Sequence, residues 1–270
     1  MPEQWTFRGT DLSTYAYLVA SADGVDDLPP MRGEDLVVPG IPGRRFLPRM
    51  ADARRFPLAL WVLPDNAAGT RDESTNRKQA RVNLDALLAI LGNSAEGALV
   101  RTMPNASTRT AQAVCVATDG IRDGIDEIIG LVADFSLADP FFYGATITDA
   151  ARAISASPTN FTFTNTGSQS ARKMTFDFTG PISNPRIANL TLDAGGAFYV
   201  EALVTVATGM HLIINVGAWT ATNDGVDAIG SIRHSGAFEF FRIAPGANSL
   251  RVTATTPGGT LTTAVPPPYL

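Results

Sequence analysis

Histidine, cysteine and the carboxylates carry most acid–base, nucleophilic and metal chemistry, and this chain spaces them poorly for any of it. His211 stands beside the apolar run Leu212-Ile213-Ile214, and His234 lies in Arg233-His234-Ser235-Gly236, which reads as a loop. The sequence holds no HxH, HxxxH or HExxH pattern, and neither histidine has a partner at ligand spacing. Both are expected to be structural, and no metal is expected. A glycosidase needs only two carboxylates at a suitable separation. Asp177, Asp193, Asp224, Asp227 and Glu239 are the candidates in the second half, but nothing singles out a pair. Asp177 and Glu239 fall at strand-like polar positions that usually face solvent, and Asp224 belongs to an Asn-Asp-Gly turn. Gly195-Gly196 and Gly258-Gly259 lack the lysine and the strand-loop-helix context of a phosphate loop, and G-x-S-x-G does not occur. Cys115, the only cysteine, sits in the apolar stretch Ala113–Ala117, where it reads as a small buried hydrophobe. No catalytic residue and no cofactor are expected. One binding residue stands out, because Trp219, flanked by Ala218 and Thr220, has the form of a platform for a sugar ring. The same position suits a core tryptophan at a strand edge.

With 270 residues, 45% of them hydrophobic and 17% charged, the chain can bury one large core or two ordinary ones. Its net charge of −5 is carried by the first half. Up to Ala145 there are 14 Lys+Arg against 19 Asp+Glu, and from Thr146 onward 7 against 7. An acidic balance argues against nucleic acid, which calls for a basic surface. The N-terminus has no charged-then-apolar signal pattern, and no apolar run approaches the ~20 residues of a membrane span. No membrane partner is expected, and synthesis in the cytoplasm without a secretion signal is.

The elements that would position these groups are nearly all strands. Gln4–Phe7, Tyr15–Val19, Arg54–Leu63, Ala98–Met103, Gln112–Thr118 and Glu127–Leu137 read as strands, with Asp119-Gly120 and Asp123-Gly124 as hairpin connections. One segment is helical. From Asn76 to Leu91, Ala80, Leu84, Leu87, Leu88 and Leu91 form a single stripe at the 3.6 period. Ser74 or Thr75 is placed to cap it, and Gly92 to end it. Arg77, Lys78, Arg81, Asn83 and Asp85 occupy the other face, read as solvated or as a contact with an acidic neighbouring subunit. At Asp139-Pro140-Phe141-Phe142-Tyr143-Gly144 a strand breaks into three aromatics and the composition changes, a domain junction. Residues 1–144 are expected to form a β-rich domain with one helix. Residues 145–270 are expected to form a β-sandwich of jelly-roll or galectin-like type, with strands at Phe161–Thr164, Met174–Phe178, Leu190–Leu192, Ala197–Val206, His211–Val216, Ala237–Arg242, Ser249–Thr255 and Thr260–Val265.

Three stretches resemble one known family. Pro29-Pro-Met-Arg-Gly-Glu-Asp-Leu-Val-Val-Pro-Gly40 resembles the N-terminal loop and strand of distal tail proteins of long non-contractile-tailed phages. Asp139-Pro140-Phe141-Phe142-Tyr143 is similar to the Asp-Pro-aromatic that closes that family's first domain. Phe240–Leu250, with Pro245-Gly246-Ala247-Asn248, is similar to its Pro-Gly-x-Asn hairpin, followed by a last strand and a Pro-x-Tyr tail. Asn165-Thr166-Gly167 matches its Asn-x-Gly turn. The motifs span the whole chain in order. The resemblance implies a virion protein of the tail tip, assembled in the host cytoplasm as a homo-hexameric ring between the tail tube protein and the baseplate hub. Its first domain would form the ring, and its second would carry receptor-binding proteins or touch host cell-wall glycan. The second domain departs from a sugar-binding pattern in lacking a cluster of exposed aromatics, which favours a structural or docking role.

Overall fold

A computed structural model describes residues 3–14, 16–33, 50–65, 76–123, 128–234 and 241–270. Expectations that fall on Ser74 and Thr75, on residues 34–45, on the connection at Gly124 and on Ala237–Phe240 with Glu239 lie outside the described residues. The chain divides into two compact units, Met1–Phe142 with Leu270, and Tyr143–Tyr269. It is mainly β with a single α-helix among the described residues.

Seven strands form the main sheet of the first unit. They are β1 (Gln4–Phe7), β2 (Thr10–Asp11), β3 (Tyr17–Ser21), β4 (Arg54–Val62), β5 (Gly97–Thr102), β6 (Thr108–Asp123) and β7 (Ile129–Leu137). Their order in space is β2-β1-β5-β6-β7-β4-β3, and every pair is antiparallel. The long β6 curls this sheet. Its first half pairs with β5, from Thr108 opposite Thr102 to Ala113 opposite Gly97, and its second half pairs with β7. Register shifts between Cys115 and Ala117, and between Asp119 and Arg122, add the local twist that such irregularities bring. Asp119-Gly120 is therefore a bulge inside a strand and not the expected hairpin turn. Gly120, at φ +70°, supplies the left-handed residue that lets the strand continue.

Period-two burial is strict on β7, where Ile129, Leu131, Ala133, Phe135 and Leu137 face the core. On β4 the inward set is Arg54, Phe56, Leu58, Leu60 and Val62. Pro57 is tolerated there because β3 pairs only with Ala59 to Val62, so the prolyl nitrogen faces no partner strand on that side. The helix α1 (Asn76–Leu91) lays Ala80, Leu84, Leu87 and Leu91 on the same core, with Leu88 at its margin. Asn83 departs from the solvated face expected for it. It is 7% exposed, and its amide donates to Leu63 O (2.7 Å) and Asp65 O (3.0 Å). Gln79 Nε2 donates to its Oδ1, and the Tyr17 hydroxyl to its backbone carbonyl. The polar side chain was buried because the chain leaving β4 presents carbonyls that need a donor.

The second unit is a sandwich of two antiparallel sheets. Its main strands are β8 (Thr159–Asn165), β9 (Thr175–Thr179), β10 (Arg186–Asn189), β11 (Tyr199–Ala202), β12 (His211–Asn215), β13 (Thr220–Asn223), β14 (Ile232–His234), β15 (Gly246–Thr253) and β16 (Thr260–Val265). One sheet runs β16-β9-β12-β13, extended by Ile147–Thr148 beside β16 and Val226–Asp227 beside β13. The other runs β8-β15-β10-β11-β14. Phe176, Phe178, Leu212, Ile214 and Leu261 from the first meet Phe163, Ile187, Val200, Leu250 and Val252 from the second. Leu190-Thr191-Leu192 is not a strand as its alternation suggested. It is a turn after β10, shaped by the Thr191 N–H donating to Asn189 Oδ1 (3.0 Å). β10 escaped notice because Ile187, Ala188 and Asn189 are buried in succession, without a period of two.

Phe142 closes the aromatic cluster of the first unit. It is fully buried, with its ring centroid 6.2 Å from Trp5 and 6.4 Å from Phe56. Phe142→Ala is expected to cost about 3–5 kcal/mol in urea unfolding, through a cavity in this core. A loss below about 1 kcal/mol contradicts that role.

Candidate functional surfaces

The residues that carry the family resemblance are mostly folding devices. Pro245-Gly246 makes a turn whose backbone is held by Asn248, itself fully buried at the start of β15. Asn248 Oδ1 accepts from Ala244 N (2.9 Å) and from Asn189 Nδ2 (3.1 Å), while its Nδ2 donates to Ala244 O (2.8 Å) and Gly246 O (2.9 Å). Asn189 Nδ2 also reaches Arg242 O. In the Asn165-Thr166-Gly167 turn, Asn165 accepts from Gly167 N (2.9 Å) and donates to Gln169 O and Ile243 O. Gly167 must be glycine, because a Cβ there would lie 2.3 Å from Pro268 O. The tail is tied down again where Gly144 N donates to Pro267 O (3.0 Å) and the Tyr269 hydroxyl meets Thr166 Oγ1 (3.3 Å).

The junction residues divide between the units. Pro140 is buried, Asp139 Oδ1 accepts from Phe141 N (3.4 Å), and Phe142 belongs to the first core. Tyr143 belongs to the second unit, where Lys173 Nζ stands 4.4 Å from its ring centroid.

Among the described residues of the first unit, the buried charged side chains are Arg54 and Arg101. Arg101, 4% exposed, makes two forked pairs, with Glu3 (2.7 and 3.1 Å) and with Asp26 (2.6 and 3.0 Å), and lies over the Trp5 ring. Burial opposes its charge, but hydrogen bonds to Asp26 and Glu3 outweigh that and hold the guanidinium above its ordinary value. The Arg101 hydrogen bond in turn draws the Asp26 carboxyl below the usual range. Arg54 donates to the carbonyls of Gly24 and Val25, and desolvation lowers its pKa. This cluster ties the N-terminal strand and the Asp23–Asp27 loop to β5 and β4, which is a structural task. Burial pushes the Cys115 thiol up, so it is not an activated nucleophile.

His211, which has no partner at ligand spacing in the sequence, pairs with Asp177 across β12 and β9, Nδ1 to Oδ1 2.9 Å. Thr179 Oγ1 lies 3.4 Å from the same Nδ1. A hydroxyl activated by a histidine–carboxylate pair must sit on the other ring nitrogen, so these three side chains do not form a nucleophilic triad. His234 ends strand β14 and does not lie in a loop, and its ring meets Trp219 edge-on at 5.2 Å. Trp219 itself is half-buried at φ +53° in the turn between β12 and β13. It does not line the neighbouring groove of about 420 Å³, whose polar lining comes from Thr146, Lys173, Thr175 and Asn215. Asp193 caps its own loop, accepting from Ala197 N (2.7 Å), and Asp224 sits at φ +50° in its turn. Asp227 accepts from Ile229 N (3.0 Å) beside a second open groove, of about 470 Å³. Among the described residues no group of His, Cys, Asp and Glu could hold a metal, and no helix is long and apolar enough to cross a membrane.

Sequence reasoning missed one surface. Leu18 on β3 and Trp61 on β4 are directly paired across the strands and 42% and 47% exposed. The signal was present, since a period of two places Trp61 on the outward face with Arg55 and Pro57.

The sequence matches no model of a known protein family and no curated protein. Its fold is that of a phage distal tail protein. In particular it matches the crystal structure of the phage SPP1 Dit (gp 19.1) protein, described as a paradigm of the hub adsorption apparatus in phages infecting Gram-positive hosts. The two superpose with a TM-score of 0.70 over 100% of both chains, at 15% identity. Structures of the phage p2 baseplate in its activated conformation, with Ca and with Sr, match at TM-scores of 0.42 and 0.40 over 98% of each chain, at 9% and 8% identity.

Two expected outcomes test the structural reading. Asn248→Ala leaves the Ala244 and Gly246 backbone and the Asn189 amide short of partners, and is expected to cost at least ~2 kcal/mol in urea unfolding. An unchanged midpoint overturns the clamp. Asp26 is 67% exposed, so Asp26→Asn should cost no more than ~1 kcal/mol at pH 7. Because the Asp26 pKa is lowered on folding, its contribution is present above the ordinary carboxylate range and lost as pH falls through the lowered value. The stability gap between wild type and variant should therefore close on acidification. A gap constant from pH 7 to pH 2 refutes the assignment.

Proposed function

We propose that this chain is a non-enzymatic structural component of the phage tail tip, a distal tail protein of the virion. In this reading six copies form a ring that joins the tail tube to the baseplate hub. Met1–Phe142 forms the ring, and Tyr143–Tyr269 supports receptor-binding proteins. The end-to-end fold match to SPP1 Dit carries the reading, and the family motifs, in order along the whole chain, support it. The use of the polar motif residues in turns and buried clamps fits a part whose task is to hold shape.

A second reading, favoured by the half-buried Trp219 beside an open groove of the second unit, is that this unit binds host cell-wall polysaccharide. Saturable binding of such polysaccharide in a titration, lost in Trp219→Ala, supports it. Binding unchanged by that substitution removes the site.

The ring predicts a particle of about 172 kDa, six times 28.6 kDa, in light scattering, with sixfold rings in electron micrographs of the protein or of purified tails. Monomers at every concentration, together with absence of the chain from purified tails, overturn the reading.

A further inference from the structure

The two sheets of the second unit end in short strands at every edge but one. Among the described residues, the edge strands Ile147–Thr148, Arg152–Ala153, Val226–Asp227 and β14 run for two or three residues. Edges that short give another chain little to pair with. β8 (Thr159–Asn165) is the exception. It pairs with β15 over seven residues without a register shift, and no strand lies on its other side. Its sequence, Thr-Asn-Phe-Thr-Phe-Thr-Asn, holds no charge, no proline and no glycine. A flat, uncharged, β-prone segment of this length, open along one edge, is the form that recruits strands from other chains.

Arg152 stands across this open side. It lies at the edge of the other sheet, opposite Leu261 of β16. Its Nη2 donates to the Thr162 carbonyl (3.3 Å), and its guanidinium stands 5.0 Å from the ring centroid of the half-buried Phe161. Asp149 aims it, accepting from Nε (2.9 Å) and pairing with Nη2 (2.7 Å). As stabilising interactions these count for little, since Arg152 is 39% exposed and an exposed ion pair adds little to stability. Their position has another use. An incoming strand would have to displace the guanidinium from the Thr162 carbonyl or bury its charge, and both are unfavourable.

We propose that Arg152 guards the open edge of β8: reaching from the edge of one sheet to the edge of the other, it keeps strands of other chains from adding there. Asp149 is the positioning residue. The inference does not depend on the ring reading, because it concerns association beyond whatever particle the chain forms.

The test compares variants of the full chain by light scattering and thioflavin T fluorescence, at one concentration where the wild type associates slowly. Arg152→Ala is expected to shorten the half-time of association beyond the wild-type particle at least about tenfold. Lys78→Ala, which removes an equal charge from the exposed face of α1, is expected to match the wild type. Thr162→Lys, added to Arg152→Ala, puts a charge back on an exposed position of the edge strand. It is expected to restore the slow half-time without raising the urea midpoint, which separates edge pairing from aggregation through unfolding. An Arg152→Ala half-time equal to that of Lys78→Ala overturns the guard. So does fast association that Thr162→Lys leaves unchanged, or slows only by raising the urea midpoint.

Discussion

A β-rich chain that buries irregular backbone must give every enclosed carbonyl and amide a partner, and here that task falls to a few side chains. In the second unit it is met by Asn165, Asn189 and Asn248, each no more than 1% exposed. An amide side chain presents both donor and acceptor, so one buried asparagine can imitate the edge of a strand where no strand exists. Asn248 does this for the Pro245-Gly246 turn, and Asn165 for the turn on which the C-terminal segment rests. In the first unit Asn83 and Arg54 serve the chain after β4 and the loop around Gly24. Arg101 draws its own partners from the half-buried Glu3 and the exposed Asp26, and so anchors strand β1.

This constraint explains why the residues that look like functional motifs are mostly buried. A polar residue in a fixed motif invites a catalytic or ligand-binding interpretation. Here its atoms are consumed by backbone, and little is left to meet a ligand. Among the described residues, the groups that reach solvent include the His211–Asp177 pair, the half-buried Trp219 and the outward face of the first sheet. The pair lacks the geometry of a nucleophile, because its hydroxyl neighbour shares a nitrogen with the carboxylate.

Much of the fold was legible in periodicity. Helix α1 runs from Asn76 to Leu91, and β1 and β16 keep the bounds that alternation indicates. The failures share a cause. Asp119-Gly120 has turn chemistry, yet β6 runs through it, because the same left-handed glycine serves a bulge when strands pair on both sides. Leu190-Thr191-Leu192 alternates, yet it turns away from the sheet. His234 stands beside Ser235-Gly236 and nonetheless closes a strand paired with Val200.

By itself the sequence determined the fold class, the single helix, and the absence of any spacing suited to metal or nucleophilic chemistry, because these depend on residue type and on intervals along the chain. The motif order that points to a phage tail protein was equally a property of the sequence. Tertiary structure alone decided what each polar residue does. Whether Asn83 meets water or a buried carbonyl, whether Asn248 is a ligand or a clamp, and whether Trp61 faces the core or solvent depend on segments far away in the chain. A hydrogen bond or a buried face has two partners, and the local sequence names only one of them.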